Sequence, residues 1–331
     1  MKRFLKIIAA LVAVLAIVYF LGPKPAAPNY NNNLIQVPSD PAALEAFIRS
    51  KEAAHKVKPD NEARIVWAND STKAKTPYVI VYLHGFSASQ EEGNPVHRNI
   101  AKQFGCNMYL ARLSEHGIDT IDPLVNMTAT SLWESAKEAY AIGKQLGDKV
   151  ILMGTSTGGT VALELASNFE DVSGLVLYSP NIAINNPSAF LSNNPWGLQI
   201  ARMVIGGKEN IIKNKPDNYK KYWNDHYRLE AVVELQELLE TTMIPSHFNK
   251  IKCPLLTLYY YKDEKNQDPV VKVSAMKEMF DAVATPANLK RMVPIPEAGN
   301  HVLASPIQSK DIVSVEKETA LFLEQIMQLK K

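Results

Sequence analysis

Short apolar runs alternate with helical periodicities along most of the chain. Runs rich in Val, Ile, Leu and Tyr occupy residues 63–68, 78–83, 107–113, 149–153, 174–178, 255–261 and 289–295. Amphipathic stretches fall between or after them, over 95–104, 131–146, 158–169, 273–283 and 312–329. In one of these, Val273, Met276, Met279, Phe280 and Val283 recur at helical spacing. Continuous rather than alternating apolar runs suit parallel strands covered on both faces, and their alternation with helices over about 250 residues predicts one doubly wound α/β domain. An additional helix is expected to start at Ser39-Asp40-Pro41 and to run to about Ala54.

Residues 180–252 break the rhythm. They hold no clear strand, carry Trp196, Tyr219, Tyr222, Trp223 and Tyr227, and read as helical over 219–239. Connections in α/β units usually take about 2–6 residues. An interval this long is expected to form a helical cap, at about 181–252, over one end of the sheet.

The N-terminus has a different character. Lys2, Arg3 and Lys6 precede an apolar stretch, 7–21, without charge or backbone breaker. Counted over 4–22 it gives roughly 28 Å of helix at 1.5 Å per residue, close to a bilayer core of about 30 Å. No A-x-A site follows closely, and Pro23, Pro25 and Pro28 crowd the region a signal peptidase would cut. An uncleaved anchor over 1–22 is therefore expected, with a cleaved signal peptide as the rival. The basic residues should stay in the cytoplasm, which makes this a single-pass protein of the cytoplasmic membrane with its body on the extracytoplasmic side. Residues 23–37 read as a semi-extended tether and 38–331 as the folded body.

Charge and cysteine content narrow the function classes. From residue 25 onward, 32 basic residues face 34 acidic ones, so nothing in the body's electrostatics calls for nucleic acid. Cys106 and Cys253 belong to no C-x-x-C or Cys/His cluster, so no metal site is expected, and they read as small buried hydrophobes rather than a disulfide.

The chemistry sits after the run 149–153, where Gly154-Thr155-Ser156-Thr157-Gly158-Gly159 leads straight into a helix. With 15 Gly and 19 Ser in the chain, chance would supply G-x-S-x-G about 0.04 times, and the strand–turn–helix context is what gives the pattern meaning. Glycines allow a sharp turn that presents the Ser156 hydroxyl. A serine needs an adjacent base oriented by a carboxylate, and the elbow predicts the order Ser, acid, His. Of seven histidines, His226, His247 and His301 follow Ser156; the first two fall in the cap, and His301 follows the last strand in a Gly/Asn-rich loop. His301 is the expected base. The acid should follow the run 255–261, where Asp263, Glu264 and Asp268 compete; Asp268, leading through Pro269-Val270-Val271 into a helix, is expected, with Asp263 as the alternative. Backbone N–H groups of Thr157, at a helix start, and Phe86, in His84-Gly85-Phe86-Ser87, are the expected oxyanion donors. His84 and His116 read as loop architecture.

These residues resemble the α/β-hydrolase superfamily, especially its monoacylglycerol lipase, carboxylesterase and serine-aminopeptidase-like branch. The resemblance covers about residues 63–329. It rests on Leu83-His84-Gly85-Phe86, Arg112-Leu113-Ser114-Glu115-His116-Gly117, the 154–159 elbow, Asp268-Pro269-Val270-Val271 and Gly299-Asn300-His301. It implies an eight-stranded, mostly parallel sheet with a cap, acyl-enzyme chemistry and no cofactor. The sequence departs from the family in the lengthened 262–267 segment before the acid, and the cap carries no substrate signature. A carboxylic ester hydrolase acting on acylglycerols, lysophospholipids or similar small-molecule or lipid esters is the leading expectation. The alternatives are a serine aminopeptidase, for which Glu91, Glu92, Glu230 or Glu234 could hold a substrate ammonium, and a non-catalytic scaffold.

Overall fold

The computed structural model describes residues 1–330. Helix α1 (Lys2–Phe20) stands first, and none of its residues is buried. Its length and composition allow it to cross a membrane, a description that a signal sequence near the N-terminus also meets. The chain then runs without regular structure to α2 (Pro41–Ala53), whose start is set by Asp40 accepting the Ala43 N–H at 2.9 Å and by Pro41 at the first helical position.

Strand β1 (Arg64–Val66) is followed by β2 (Thr76–Leu83), α3 (Val96–Gln103), β3 (Asn107–Leu110), α4 (Ala129–Leu146), β4 (Gly147–Thr155), α5 (Thr157–Asn168) and β5 (Val172–Tyr178). The cap then contributes α6 (Gly197–Ile205), β6 (Glu209–Ile211), α7 (Asp217–Tyr222), β7 (His226–Arg228), α8 (Leu229–Thr242) and the single turn α9 (Pro245–Phe248). The sheet resumes with β8 (Leu255–Tyr259), α10 (Val273–Ala282), β9 (Lys290–Pro294) and α11 (Ile312–Leu321).

The strand order is β1-β3-β2-β4-β5-β8-β9, with only the β1–β3 pair antiparallel. Seven strands stand where the resemblance implied eight. The residues before β1 form α2 and a loop whose Val57 makes one isolated bridge to Ile118, so the three-residue β1 is the edge. Side chains of β2 alternate between two cores. Val79, Val81 and Leu83 face Trp133 and Tyr140 of α4, while Ile80 and Tyr82 face Ile100 of α3 and Val315 of α11. Helices on both faces of a mostly parallel sheet make this the doubly wound α/β architecture expected from sequence, and they leave the strand ends open to a ligand.

The cap differs from its sequence reading in two respects. Residues 209–211 and 226–228 pair as a small antiparallel hairpin, so the cap is not wholly helical. The expected helix over 219–239 is interrupted at Trp223, which is buried, and that pairing overrides local helical propensity. At the C-terminus α11 gives way at Phe322 to a wider π-type turn through Ile326. Cys106 and Cys253 are both free.

The segment 23–37 is extended, but part of it is clasped to the body. Lys137 of α4 is fully buried and donates to Asn31 Oδ1 and the Asn33 carbonyl, both at 2.9 Å, and pairs with Glu134 at 3.0 Å. The Trp133 indole N–H donates to the Asn31 carbonyl at 2.8 Å. The short Asn run is thus the lid over a buried cation.

Two truncations separate these roles. Removing residues 1–22 should leave a soluble chain whose stability in urea changes by less than about 1 kcal/mol, since no residue of α1 is buried and the Trp196–Val18 hydrogen bond it loses is exposed. Removing residues 1–33 should cost about 1–3 kcal/mol more, because Lys137 loses two acceptors while still largely enclosed. Equal midpoints for the two would show that the clasp contributes nothing.

Candidate active site

Strand β4 ends at Thr155 and α5 begins at Thr157, which leaves Ser156 alone in the turn at φ 53°, ψ −118°. A non-glycine residue pays about 1–3 kcal/mol for such a backbone and keeps it only when its surroundings impose it. Here the Ser156 N–H donates to the Tyr178 carbonyl and the Asn181 N–H donates to the Ser156 carbonyl, each at 3.0 Å. Gly158 completes the constraint: a Cβ there would collide with the Leu83 carbonyl at the end of β2, so only glycine lets the helix sit this close.

The loop after β9 carries His301, which is 8% exposed. Its Nδ1 lies 2.6 Å from Asp268 Oδ2. The other carboxylate oxygen of Asp268 accepts the N–H groups of Val270 (2.8 Å) and Val271 (3.1 Å). With Nδ1 donating to a carboxylate, Nε2 is left as the acceptor. Burial works against the Asp268 charge, but the His301 charge, the His301 hydrogen bond and the two N–H groups outweigh it and hold the carboxyl below its ordinary range. Burial likewise works against a charged His301, yet the Asp268 charge and hydrogen bond, with Glu92 adding to them, lift it above its ordinary 6.5.

Asp263 sits elsewhere. It is solvent-exposed and accepts from the N–H groups of Lys265 and Asn266 in its own turn. The lengthened 262–267 segment closes on itself, through a Tyr261–Gln267 bridge and the Lys262 N–H on the Asn266 carbonyl at 2.8 Å. It projects as a bulge and returns Asp268 beside Tyr260, whose carbonyl accepts the Asp268 N–H at 3.1 Å.

The loop after β2 is built by histidines. His84 Nδ1 is 2.9 Å from the Gly85 carbonyl, and the Leu113 N–H donates to His84 Nε2 at 3.0 Å, which fixes the tautomer with hydrogen on Nδ1. Burial, together with the nearby His116 and Arg112, drives the His84 pKa far down, so it is a neutral brace. His116 Nδ1 is 2.8 Å from the Ser114 carbonyl. Ser87 takes φ 62°, and its carbonyl accepts the Asn224 N–H of the cap at 2.8 Å. Among the described residues, neither Phe86 nor Thr157 gives its N–H to a protein acceptor.

Phe86, Ser156 and His301 line one cleft of about 470 Å³, roofed by cap residues including Tyr219, Trp223 and Leu235 and mostly apolar. That volume falls within the range usual for small-molecule sites, about 300–1,000 Å³. Of the four glutamates weighed from sequence, Glu92 alone lines this cleft. Glu230 pairs with Arg202 and Arg228, Glu234 accepts the Ala129 N–H, and Glu91 holds Asn94. Glu92 is 3% exposed and accepts the Gly85 N–H at 2.6 Å. A Cβ on Gly85 would lie 3.0 Å from both carboxylate oxygens and from Ser156 Cβ, which places this carboxylate beside the serine. Burial raises its pKa from 4.5 to about 7, against the lowering effects of the Gly85 N–H, the His301 charge and the Trp223 hydrogen bond. No sequence signal distinguishes Glu92 from Glu91; a short turn over Gln90–Gly93 decides which one points inward. Among the described residues there is no group of three or more His, Cys, Asp or Glu arranged for a metal ion.

A family model described as serine aminopeptidase, S33, matches residues 129–298, about half of the chain. The chain belongs to this hydrolase family. The family match spans the elbow, the cap and Asp268. A thermostable monoacylglycerol lipase of Bacillus sp. (strain H-257) is 28% identical over 196 residues, 58% of this chain and 72% of that protein. Among solved structures, one from the metagenome-derived lipolytic enzymes LipS and LipT superposes with a TM-score of 0.63 at 18% identity, covering 81% of this chain and 99% of its own. The monoacylglycerol lipase of Paleococcus ferrophilus gives 0.56 at 15% identity, covering 79% and 97%. At these identities the structural likeness speaks to the α/β-hydrolase fold shared by the family.

Glu92 gives this family member a stability signature. An acid whose pKa rises on folding stabilises the protein fully below its unfolded value, and that contribution is lost as pH rises toward the folded value. Wild type should therefore weaken relative to Glu92→Gln between about pH 4.5 and 7 and run parallel to it above, by up to about 3 kcal/mol in urea titrations. A pH-independent difference would mean that Glu92 stays charged throughout.

Proposed function

We propose that this hydrolase cleaves carboxylic esters through an acyl-enzyme formed on Ser156. The observation that carries the reading is the strained Ser156 turn opening into the same cleft as a histidine held to a buried carboxylate at 2.6 Å. In this reading Ser156 Oγ attacks the ester carbonyl while His301 Nε2 takes its proton, and Asp268 holds the imidazole and its positive charge in place. The tetrahedral oxyanion is received by the Phe86 and Thr157 N–H groups, the latter also at the positive end of α5. Collapse expels the alcohol, which takes the proton from His301. Water, activated by the same nitrogen, then releases the acid and restores Ser156.

The mostly apolar cleft and the likeness to a monoacylglycerol lipase support an acylglycerol, lysophospholipid or similar lipid ester as substrate. Helix α1, as a single-pass anchor led by Lys2, Arg3 and Lys6, would hold the body on the extracytoplasmic side of the cytoplasmic membrane. Glu92 and the family description favour a second reading, removal of an N-terminal residue whose ammonium meets that carboxylate. Hydrolysis rates across p-nitrophenyl esters, glycerides and aminoacyl amides separate the two. Labelling by a fluorophosphonate, present in wild type and absent in Ser156→Ala, distinguishes either from a scaffold.

Four variants and a pH profile test the roles. Ser156→Ala and His301→Ala should each lose about 10³-fold or more in kcat with an unchanged circular dichroism spectrum. Asp268→Asn should lose about 10⁴-fold and Asp263→Asn almost nothing, since amide and carboxylate share a shape but only one holds the imidazole. The base must be neutral to act, so kcat/KM should rise with pH through an apparent pKa above 6.5. Removing the Asp268 charge should move that limb to lower pH. A reversed ranking of the two aspartate variants would reassign the acid.

A further inference from the structure

Beyond Leu21, twelve large apolar side chains are exposed among the described residues, and eight of them lie between residues 190 and 211 of the cap. Such concentration marks a contact surface; scattered exposed hydrophobics would not. On α6, Ile200, Met203 and Val204 follow one another at the three- and four-residue spacing of a single helix face, and Met203 and Val204 are 80% and 79% exposed. The inner side of the same helix is occupied, with Arg202 paired to Glu230 at 2.6 Å. Among the described residues the outer face has no partner.

This face joins the end of α1. The Trp196 indole N–H donates to the Val18 carbonyl at 3.0 Å, and the Trp196 backbone N–H donates to the Pro23 carbonyl at 2.9 Å. Gly22 lies so close to the indole that any Cβ would strike it. The last turn of an apolar helix, a tryptophan and an exposed apolar stripe therefore form one continuous strip. Tryptophan is enriched where a spanning helix leaves the hydrocarbon. Beyond α6 the chain over 206–225 carries five lysines against three acids, whereas the body as a whole is slightly acidic, and Lys208 and Lys213 are exposed. From the same segment Ile212 and Lys215 line the cleft that holds Ser156.

We propose that the outer face of α6 is a bilayer-docking surface, its apolar stripe lying at the acyl boundary of the leaflet from which α1 emerges and the 206–225 lysines meeting anionic headgroups. The inference rests on α1 being a membrane anchor. It deepens the proposed function by placing the mouth of the cleft at the interface, so that an acyl chain enters from the lipid rather than from water. A second copy of the chain is a poorer occupant, because two such faces would bring lysine clusters together.

The full-length chain in nanodiscs tests this. A Met203→Cys variant labelled with nitrobenzoxadiazole should emit to the blue of a Val313→Cys control on α11, with the parent chain labelled in parallel to subtract Cys106 and Cys253. Doxyl lipids should quench the Met203 probe about twofold or more and the control hardly at all, more strongly with phosphatidylglycerol present than absent. Met203→Glu should slow hydrolysis of vesicle-borne ester about tenfold and leave a soluble short-chain ester unaffected. An unquenched probe on a chain that resists carbonate extraction would overturn the docking surface and leave the anchor standing. Loss of the chain to carbonate would remove the anchor and the docking with it. A blue shift that grows with protein density, without quenching, would assign the face to a second copy.

Discussion

One strained residue organises the molecule. Ser156 can occupy its left-handed turn only because β4 is fixed on one side, α5 on the other, and β2 approaches closely enough to exclude any side chain at Gly158. That close approach requires the central parallel strands to end together, so the loops after β2, β4, β8 and β9 meet at one edge of the sheet. Everything the site contains, from the braced His84 loop to the His301–Asp268 pair, arrives there through strands that share a direction.

Two buried carboxylates flank His301 in different electrostatic states. Asp268 receives two backbone N–H groups and an imidazole, and its charge is held. Glu92 receives one backbone N–H and lies against aromatic cap residues, so burial outweighs its partners and its proton is held near neutrality. A fixed charge on one side and a variable one on the other let the surroundings of the imidazole change with pH without any movement of the chain.

Much of this was legible because it is local. Gly154 and Gly158 announce the turn, Pro269-Val270-Val271 announce a rigid loop, and the glycine and asparagine before His301 announce a return over the strand ends. The lengthened 262–267 segment hides from sequence which aspartate reaches His301; it closes on itself, and an insertion that bonds to itself leaves Asp268 within 2.6 Å of that imidazole. What sequence could not show depends on distant partners. Lys137 has the pattern of a helix-surface residue and is buried only because Asn31 and Asn33, about a hundred positions earlier, cover it. The β6–β7 hairpin arises from pairing across the fourteen residues 212–225, a contact that no local pattern announces. The eighth strand failed for the same kind of reason, since an edge strand exists only if a neighbour accepts its register.

The clasp on Asn31 also sets a height. For a body held to a bilayer by α1, the leash runs only from Gly22 to Asn29, whose N–H donates to Thr130 Oγ1 at 2.9 Å, and fully extended it reaches no more than about 25 Å. Trp196 shortens this further by binding Pro23. On such an anchored body the leash would remove most of the tumbling a longer linker permits, so that its orientation would be set in advance and little orientational entropy would be left to lose on meeting a lipid substrate.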